Sequence, residues 1–211
     1  MNGRFHNERK GSLLIELIVS LAIVALVSLA IYSFGVNVIG LSRKLSAEMS
    51  AQQQINTTLR EFEREARTMR ISEGGAYPIQ EASSTSFTFF SDIDKDGIVD
   101  RVRYFYSTTS KALMKGVIKP TGTIYNNANE IFATKIANIS TTATTAPIFT
   151  YYDSSYDGVG TTTPLAFPVN IPSIRHIRIL LIVIPGETTV KATTSVVFTT
   201  HVTPRNLKDN F

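Results

Sequence analysis

The sequence predicts an α+β fold, a long N-terminal helix packed on an antiparallel β-sheet head, and three observations carry that prediction. The run from Leu13 to Leu41 holds one charged residue, Glu16, among almost unbroken apolar side chains. Apolar residues then recur at steps of three and four as far as Met69, and no proline intervenes before Pro78. Beyond Gly74-Gly75 the period shortens to two, and turn-forming residues divide the chain into short alternating segments.

The segments fall in order at 1–11, 12–41, 42–70 and 71–211, and a chain of 211 residues suits one folding unit with an appendage. Residues 1–11 are polar, with Arg4, Arg9 and Lys10 against Glu8. Residues 12–41 are long enough, at about 1.5 Å per residue, to cross a hydrocarbon core of about 30 Å. The positive residues before this stretch predict a cytoplasmic start and an extracytoplasmic C-terminal head, although Arg43 and Lys44 soften the contrast. A cleaved secretory signal peptide competes with the membrane-helix reading, but no small-x-small site follows the apolar run cleanly. Over 42–70 the stripe Leu41, Leu45, Met49, Gln52, Ile55, Leu59, Phe62, Ala66 and Met69 predicts one buried helical face, with the sheet covering it from Leu45 to Met69. Arg60, Glu61, Glu63, Arg64, Glu65, Arg67 and Arg70 are assigned to the opposite, wet face. Gly35 and Gly40 are the expected points of local melting in this helix.

In the head, Ser86 to Ser91, Val99 to Ser107 and Lys111 to Ile118 read as three consecutive antiparallel strands. Ile131, Ile136 and Ile139 mark a further short strand, and Thr141 to Thr145 reads as loop. A second group follows: Ile148 to Tyr152, then Arg175 to Ile184 and Val190 to Val202 joined as a hairpin through Pro185-Gly186-Glu187.

The net charge of +4, from 21 basic and 17 acidic residues, is spread thinly and carries no signature of specific nucleic-acid binding. Cysteine is absent, which excludes disulfides, thiolate-held metals and thiol catalysis. No GxSxG, P-loop or HExxH pattern occurs, so the expectation is a protein that is not an enzyme.

Lys10-Gly11-Ser12-Leu13-Leu14-Ile15-Glu16 followed by an apolar helix resembles the cleavage signal of type IV prepilins and type II secretion pseudopilins. The resemblance implies a pilin-like fold, with cleavage after Gly11 by a prepilin peptidase at the inner membrane and methylation of the new terminus at Ser12. It implies that Glu16, fifth residue of the mature chain, pairs with the terminal amine of a neighbouring subunit during assembly. It further implies, as partners, other pilins or pseudopilins, an assembly-platform membrane protein and membrane lipid. Ser12 stands where the family usually carries an aromatic, and the proline that often kinks the membrane helix of major pilins is missing. FTYYD from Phe149 to Asp153, IRHIRILLIV from Ile174 to Val183 and TPRN from Thr203 to Asn206 resemble the bodies of J-type minor pseudopilins and PilW-like minor pilins.

One motif lies outside that resemblance. Asp92, Asp94, Asp96 and Asp100 alternate around Gly97, a spacing that opens a calcium loop, with the Ile98 carbonyl as a backbone ligand. The bidentate glutamate of such a loop is missing, since the twelfth position from Asp92 is Arg103. A polar hairpin turn rich in Asp fits the same residues. The loop therefore supports a second functional reading, a single-pass anchored binding domain that holds calcium and never polymerises. Asp153 to Gly158 reads as a plain loop, and His176 and His201 as isolated strand residues.

Overall fold

The computed structural model describes residues 8–139, 147–158, 162–183 and 196–207. The chain divides into two compact units, Met1–Ala47 and Glu48–Phe211, and one helix, α1 (Glu8–Arg67), runs from the first into the second.

In the first unit α1 already includes Glu8, Arg9 and Lys10, all good helix formers, ahead of the expected Ser12. The helix passes through Gly35 and Gly40 without a break, so neither melts it. Each glycine costs about 1 kcal/mol relative to alanine, too little to stop a helix of 60 residues. Every large apolar side chain from Leu13 to Leu41 is exposed, from 46% at Val38 to 71% at Phe34. This helix is long and apolar enough to cross a membrane, a property it shares with signal sequences near an N-terminus.

Among the described residues the second unit contains the end of α1 and eight strands. A meander of β1 (Ile79–Ala82), β2 (Ser86–Ser91), β3 (Asp100–Ser107), β4 (Ala112–Ile118) and β5 (Ile131–Ile136) forms one antiparallel sheet in sequence order. A separate sheet is built from β6 (Phe149–Tyr152), β7 (His176–Val183) and β8 (Val196–Val202). The head thus has two sheets where one was expected. Their join is local: the Phe149 amide donates to the Ser84 carbonyl at 3.1 Å, the Tyr151 hydroxyl to the Ser83 carbonyl at 2.9 Å, and Ile139 bridges Val183. The predicted turn at Pro185-Gly186-Glu187 and the Thr141 to Thr145 loop lie outside the described residues.

Phe62 of α1 sits where both sheets meet. Its ring is edge-on to Tyr104 at 5.1 Å and to Phe87 and Phe89 at about 6 Å on the first sheet, and lies 6.3 Å from Phe149 on the second. Such edge-to-face contacts add to the area each ring buries. Ile55, Leu59, Ala66 and Met69 complete the buried face of the helix. The stripe is shorter than its periodicity suggests, because Leu41, Leu45 and Met49 are exposed and burial begins at Ile55.

The assignment of Glu65 to the wet face is also corrected. Glu65 is buried, and it accepts from Lys115 Nζ at 2.5 Å and from the Tyr104 hydroxyl at 2.8 Å. Lys115 also donates to Glu61 at 2.8 Å, and Lys135 of β5 donates to the same carboxylate at 2.7 Å. Buried charges persist when each is paired and hydrogen-bonded, and this network meets that condition.

The helix ends at Arg67, where the Thr68 hydroxyl turns back to the Arg64 and Glu65 carbonyls at 3.0 and 3.2 Å. Two residues on, the Arg70 amide donates to Phe90 of β2, and Asn206 Nδ2 donates to the Met69 carbonyl at 2.8 Å. The C-terminal segment therefore stitches across the helix exit, with Leu207 in the core.

Candidate functional site

The hairpin between β2 and β3 closes at the pair Ser91 and Asp100, leaving Asp92 to Val99 as the connection. Lys95 and Gly97 take positive φ, 64° and 90°, which turns the segment back on itself. The turn suits Gly97, since the left-handed region costs glycine nothing sterically. Three inward hydrogen bonds hold the loop: the Gly97 amide to Asp92 Oδ2 at 3.1 Å, the Ile98 amide to Asp96 Oδ1 at 2.8 Å, and the Asp96 amide to Asp94 Oδ1 at 3.4 Å. The exit is braced from outside, because the Val99 amide donates to Glu73 and the Tyr125 hydroxyl to the Val99 carbonyl at 2.7 Å.

This geometry gathers one carboxylate oxygen each from Asp92, Asp94 and Asp96 within 4.8 Å of one another. Asp100, 1% exposed at the start of β3, is not part of that trio, although the charges of Asp94, Asp96 and Lys119 act on it. Burial, then the negative field of Asp94, pushes its pKa up to about 6. Ile98 is exposed, and its amide is engaged with Asp96. Arg103, at the twelfth position, faces away from the loop's ligands: it makes a two-pronged ion pair with Glu130 at 2.9 Å on both arms.

Two cations that the spacing did not suggest reach the loop. Lys119 Nζ, just beyond β4, donates to Asp94 Oδ2 and lies 3.3 Å from Asp96 Oδ2. That contact holds the Asp94 carboxyl below its ordinary value and the Lys119 ammonium above its own. Arg70 donates to the Gly97 carbonyl at 2.9 Å and lies 3.4 Å from Asp92 Oδ2. Both come from elements distant in sequence, so no local pattern could have announced them.

The processing motif occupies the other unit. Gly11 and Ser12 lie within α1, and Glu16 is exposed on the same helix among exposed Leu13, Leu14, Ile15 and Leu17. The 1–11 segment is thus partly helical from Glu8, with residues 1–7 outside those described.

No family model, curated protein or solved structure matches this chain. What the site can do therefore follows from its own residues.

The remaining expectations divide. Asp153 folds as a local turn, accepting from the Ser155 amide and hydroxyl at 3.0 and 2.6 Å. His176 and His201, assigned to separate strands, lie on neighbouring β7 and β8 and flank one ring: Tyr156 sits 5.3 Å from His176, 5.6 Å from His201 and 4.4 Å from Tyr152. Burial, with the nearby Arg178 and His176 charges, lowers the His201 pKa. The Tyr156 hydroxyl also shares a hydrogen bond with His201 Nδ1 at 3.1 Å, so the stack is a partly exposed surface cluster.

Proposed function

We propose that the chain is a structural subunit of a membrane-derived filament, a minor pilin or pseudopilin whose leader is removed between Gly11 and Ser12. The observation that carries this reading is the combination of Gly11, Glu16 five residues beyond it, and an otherwise uncharged apolar helix whose large side chains stay exposed from Leu13 to Leu41. A carboxylate in an insertion-competent helix is costly, up to about 2.5–3.5 kcal/mol at the bilayer centre and less toward the end where Glu16 stands. A partner that supplies positive charge at that depth explains its presence, and the freed amine of Ser12 on a neighbouring subunit is such a partner. Before assembly the subunit spans the inner membrane once, with residues 48–211 outside the cytoplasm, and its mechanism is assembly rather than turnover.

Mass spectrometry of the amino terminus, on protein recovered from its native membrane, tests the reading. A start at Ser12, with or without an added methyl group, supports a processed prepilin. A start at Met1 in cells with an active prepilin peptidase overturns it, leaving a single-pass anchor.

A further inference from the structure

The net charge is spread thinly along the sequence, and the fold segregates it. Over 60–67 the end of α1 reads Arg-Glu-Phe-Glu-Arg-Glu-Ala-Arg, three basic and three acidic residues that cancel in sequence. In the folded head two of those acids are withdrawn. Glu61 and Glu65, four residues apart, turn to the first sheet, where Lys115, Lys135 and the Tyr104 hydroxyl hold them. Arg60, Arg64 and Arg67, at steps of four and three, stay exposed together on a neighbouring face. Glu63 pairs with Arg67 at 2.6 Å, and Arg64 has only the far edge of Glu65, at 4.0 Å.

Arg205 joins them from the short 3-10 turn Arg205–Leu207, which the bond from Asn206 to the Met69 carbonyl pins against the helix exit. The surface that results is concave. Arg60, Arg64, Arg67 and Arg205 line a cleft of about 290 Å³ with Glu63. Arg67 and Arg205 also wall a second cleft, of about 350 Å³, with His176 and Thr203. We propose that these two clefts bind an oxyanion ligand with two linked phosphate-type groups, one in each cleft, with Arg67 and Arg205 gripping it between them.

Cations in the last turn of a helix are favoured by the helix dipole, and that accounts for Arg64 and Arg67. It does not account for Arg205, which comes from another element, or for the withdrawal of Glu61 and Glu65 to the sheet. Four guanidiniums face a single carboxylate in the first cleft, an excess of three charges. Among the described residues neither Arg60 nor Arg205 has a carboxylate within 4.0 Å.

The kind of cation narrows the ligand. No lysine lines either cleft. A guanidinium presents a planar fork of donors that matches two oxygens of a phosphate, whereas an ammonium acts as a point charge. A phosphate-type group brings three acceptor oxygens and up to about two charges, so two of them answer this excess more fully than carboxylates do. The aromatic cluster beside the second cleft adds no surface for a flat ring, because Tyr156 already has Tyr152 at 4.4 Å and His201 at 5.6 Å against it. Recognition therefore rests on charge and donors alone. The site concerns the head by itself and stands whether or not the leader is removed.

The probe is pyrophosphate, titrated without metal into the full chain in micelles of a neutral detergent and followed by calorimetry and thermal unfolding. The ionic strength is held at about 0.15 M, where free surface charges are screened beyond about 8 Å. Pyrophosphate is expected to bind at one site per chain and, at millimolar concentration, to raise Tm by several degrees. Inorganic phosphate, which reaches one cleft only, is expected to bind about tenfold or more weakly, since each charge-assisted bond lost counts for about a factor of ten. Arg64→Gln/Arg205→Gln alters two exposed side chains; it is expected to keep the circular dichroism spectrum and to lose the pyrophosphate response. Lys95→Gln, an exposed cation on the acidic hairpin, is expected to respond as the unaltered chain does. Absence of pyrophosphate binding in the unaltered chain overturns the site, and so does binding that survives Arg64→Gln/Arg205→Gln. Hexaglutamate binding as tightly as pyrophosphate also overturns it, because the clefts would then be a plain basic surface for an acidic protein.

Discussion

Lys115 of β4 and Glu65 of α1 form an ion pair at 2.5 Å with side chains 6% and 3% exposed, at the base of the helix–sheet contact. The pair ties the helix to the first sheet, and Tyr104 of β3 donates to the same Glu65 carboxylate. Removing one partner strands a buried charge. Lys115→Met is therefore expected to cost about 3–5 kcal/mol in urea unfolding, and Glu65→Leu/Lys115→Met together clearly less than Lys115→Met alone. A double variant as damaged as the single one would show that the charges contribute through attraction and not through mutual relief.

Glu61 supplies the pH dependence. Burial alone would raise its pKa, but hydrogen bonds and charge from Lys115 and Lys135 outweigh it and hold the carboxyl below 4.5. A carboxyl depressed on folding contributes stability that is complete above its unfolded pKa and lost as pH falls through the folded one. The Tm difference between the unaltered chain and Glu61→Gln is thus expected to be full at pH 6 and to shrink steadily below about pH 4.5. Subtracting the two curves cancels the titrations of groups that do not interact with Glu61.

Gly116 is the tightest glycine among the described residues of the head. A Cβ there would stand 2.1 Å from Glu130 Oε1 and 2.8 Å from its Cδ, so Gly116→Ala must expel the Glu130 carboxylate from Arg103. The expected cost is about 1–3 kcal/mol, the price of unsatisfying a charged, mostly buried hydrogen bond. In a Glu130→Ala background the same substitution should cost far less, and equal costs in both backgrounds would locate the clash elsewhere.

Glu16→Ala is expected to leave membrane insertion unchanged and to remove the subunit from filaments, read by fractionation and by recovery of sheared filaments. Normal recovery would sink the inter-subunit role of this carboxylate. Gly11→Ala, in the same assay, is expected to leave an uncut leader.

Parts of this fold were legible because their cause is local. β2 matches its predicted bounds, Ser86 to Ser91, since Ser-Phe-Thr-Phe-Phe-Ser is bounded by turns and rich in aromatics. The acidic turn was legible for the same reason, as spacing alone places three carboxylates on one bend. β1 was missed because Ile-Gln-Glu-Ala has one β-branched residue, Ile79, and no alternation, and it forms as the edge partner of β2. Glu65 was misplaced because charge pattern reports an isolated helix, whereas its surroundings are set by Lys115 and Tyr104, 50 and 39 residues away. Met49 and Leu45 obey helical periodicity yet stay exposed, because period says which face is apolar and not what arrives to cover it. Lys119 and Arg70 reached the acidic loop by the same long-range route.

The hydrogen bond from Asn206 to Met69 joins residues 137 positions apart, and Leu207 is packed into the same core as Ile55. A chain synthesised residue by residue must therefore present the apolar face of α1 long before the segment that seals it emerges. Contacts of such wide sequence separation slow folding and lengthen exposure. The period between emergence of Ile55 and emergence of Leu207 is when the head is most open to capture by a holdase or to degradation, so truncation anywhere before Leu207 is expected to act first on yield in the cell.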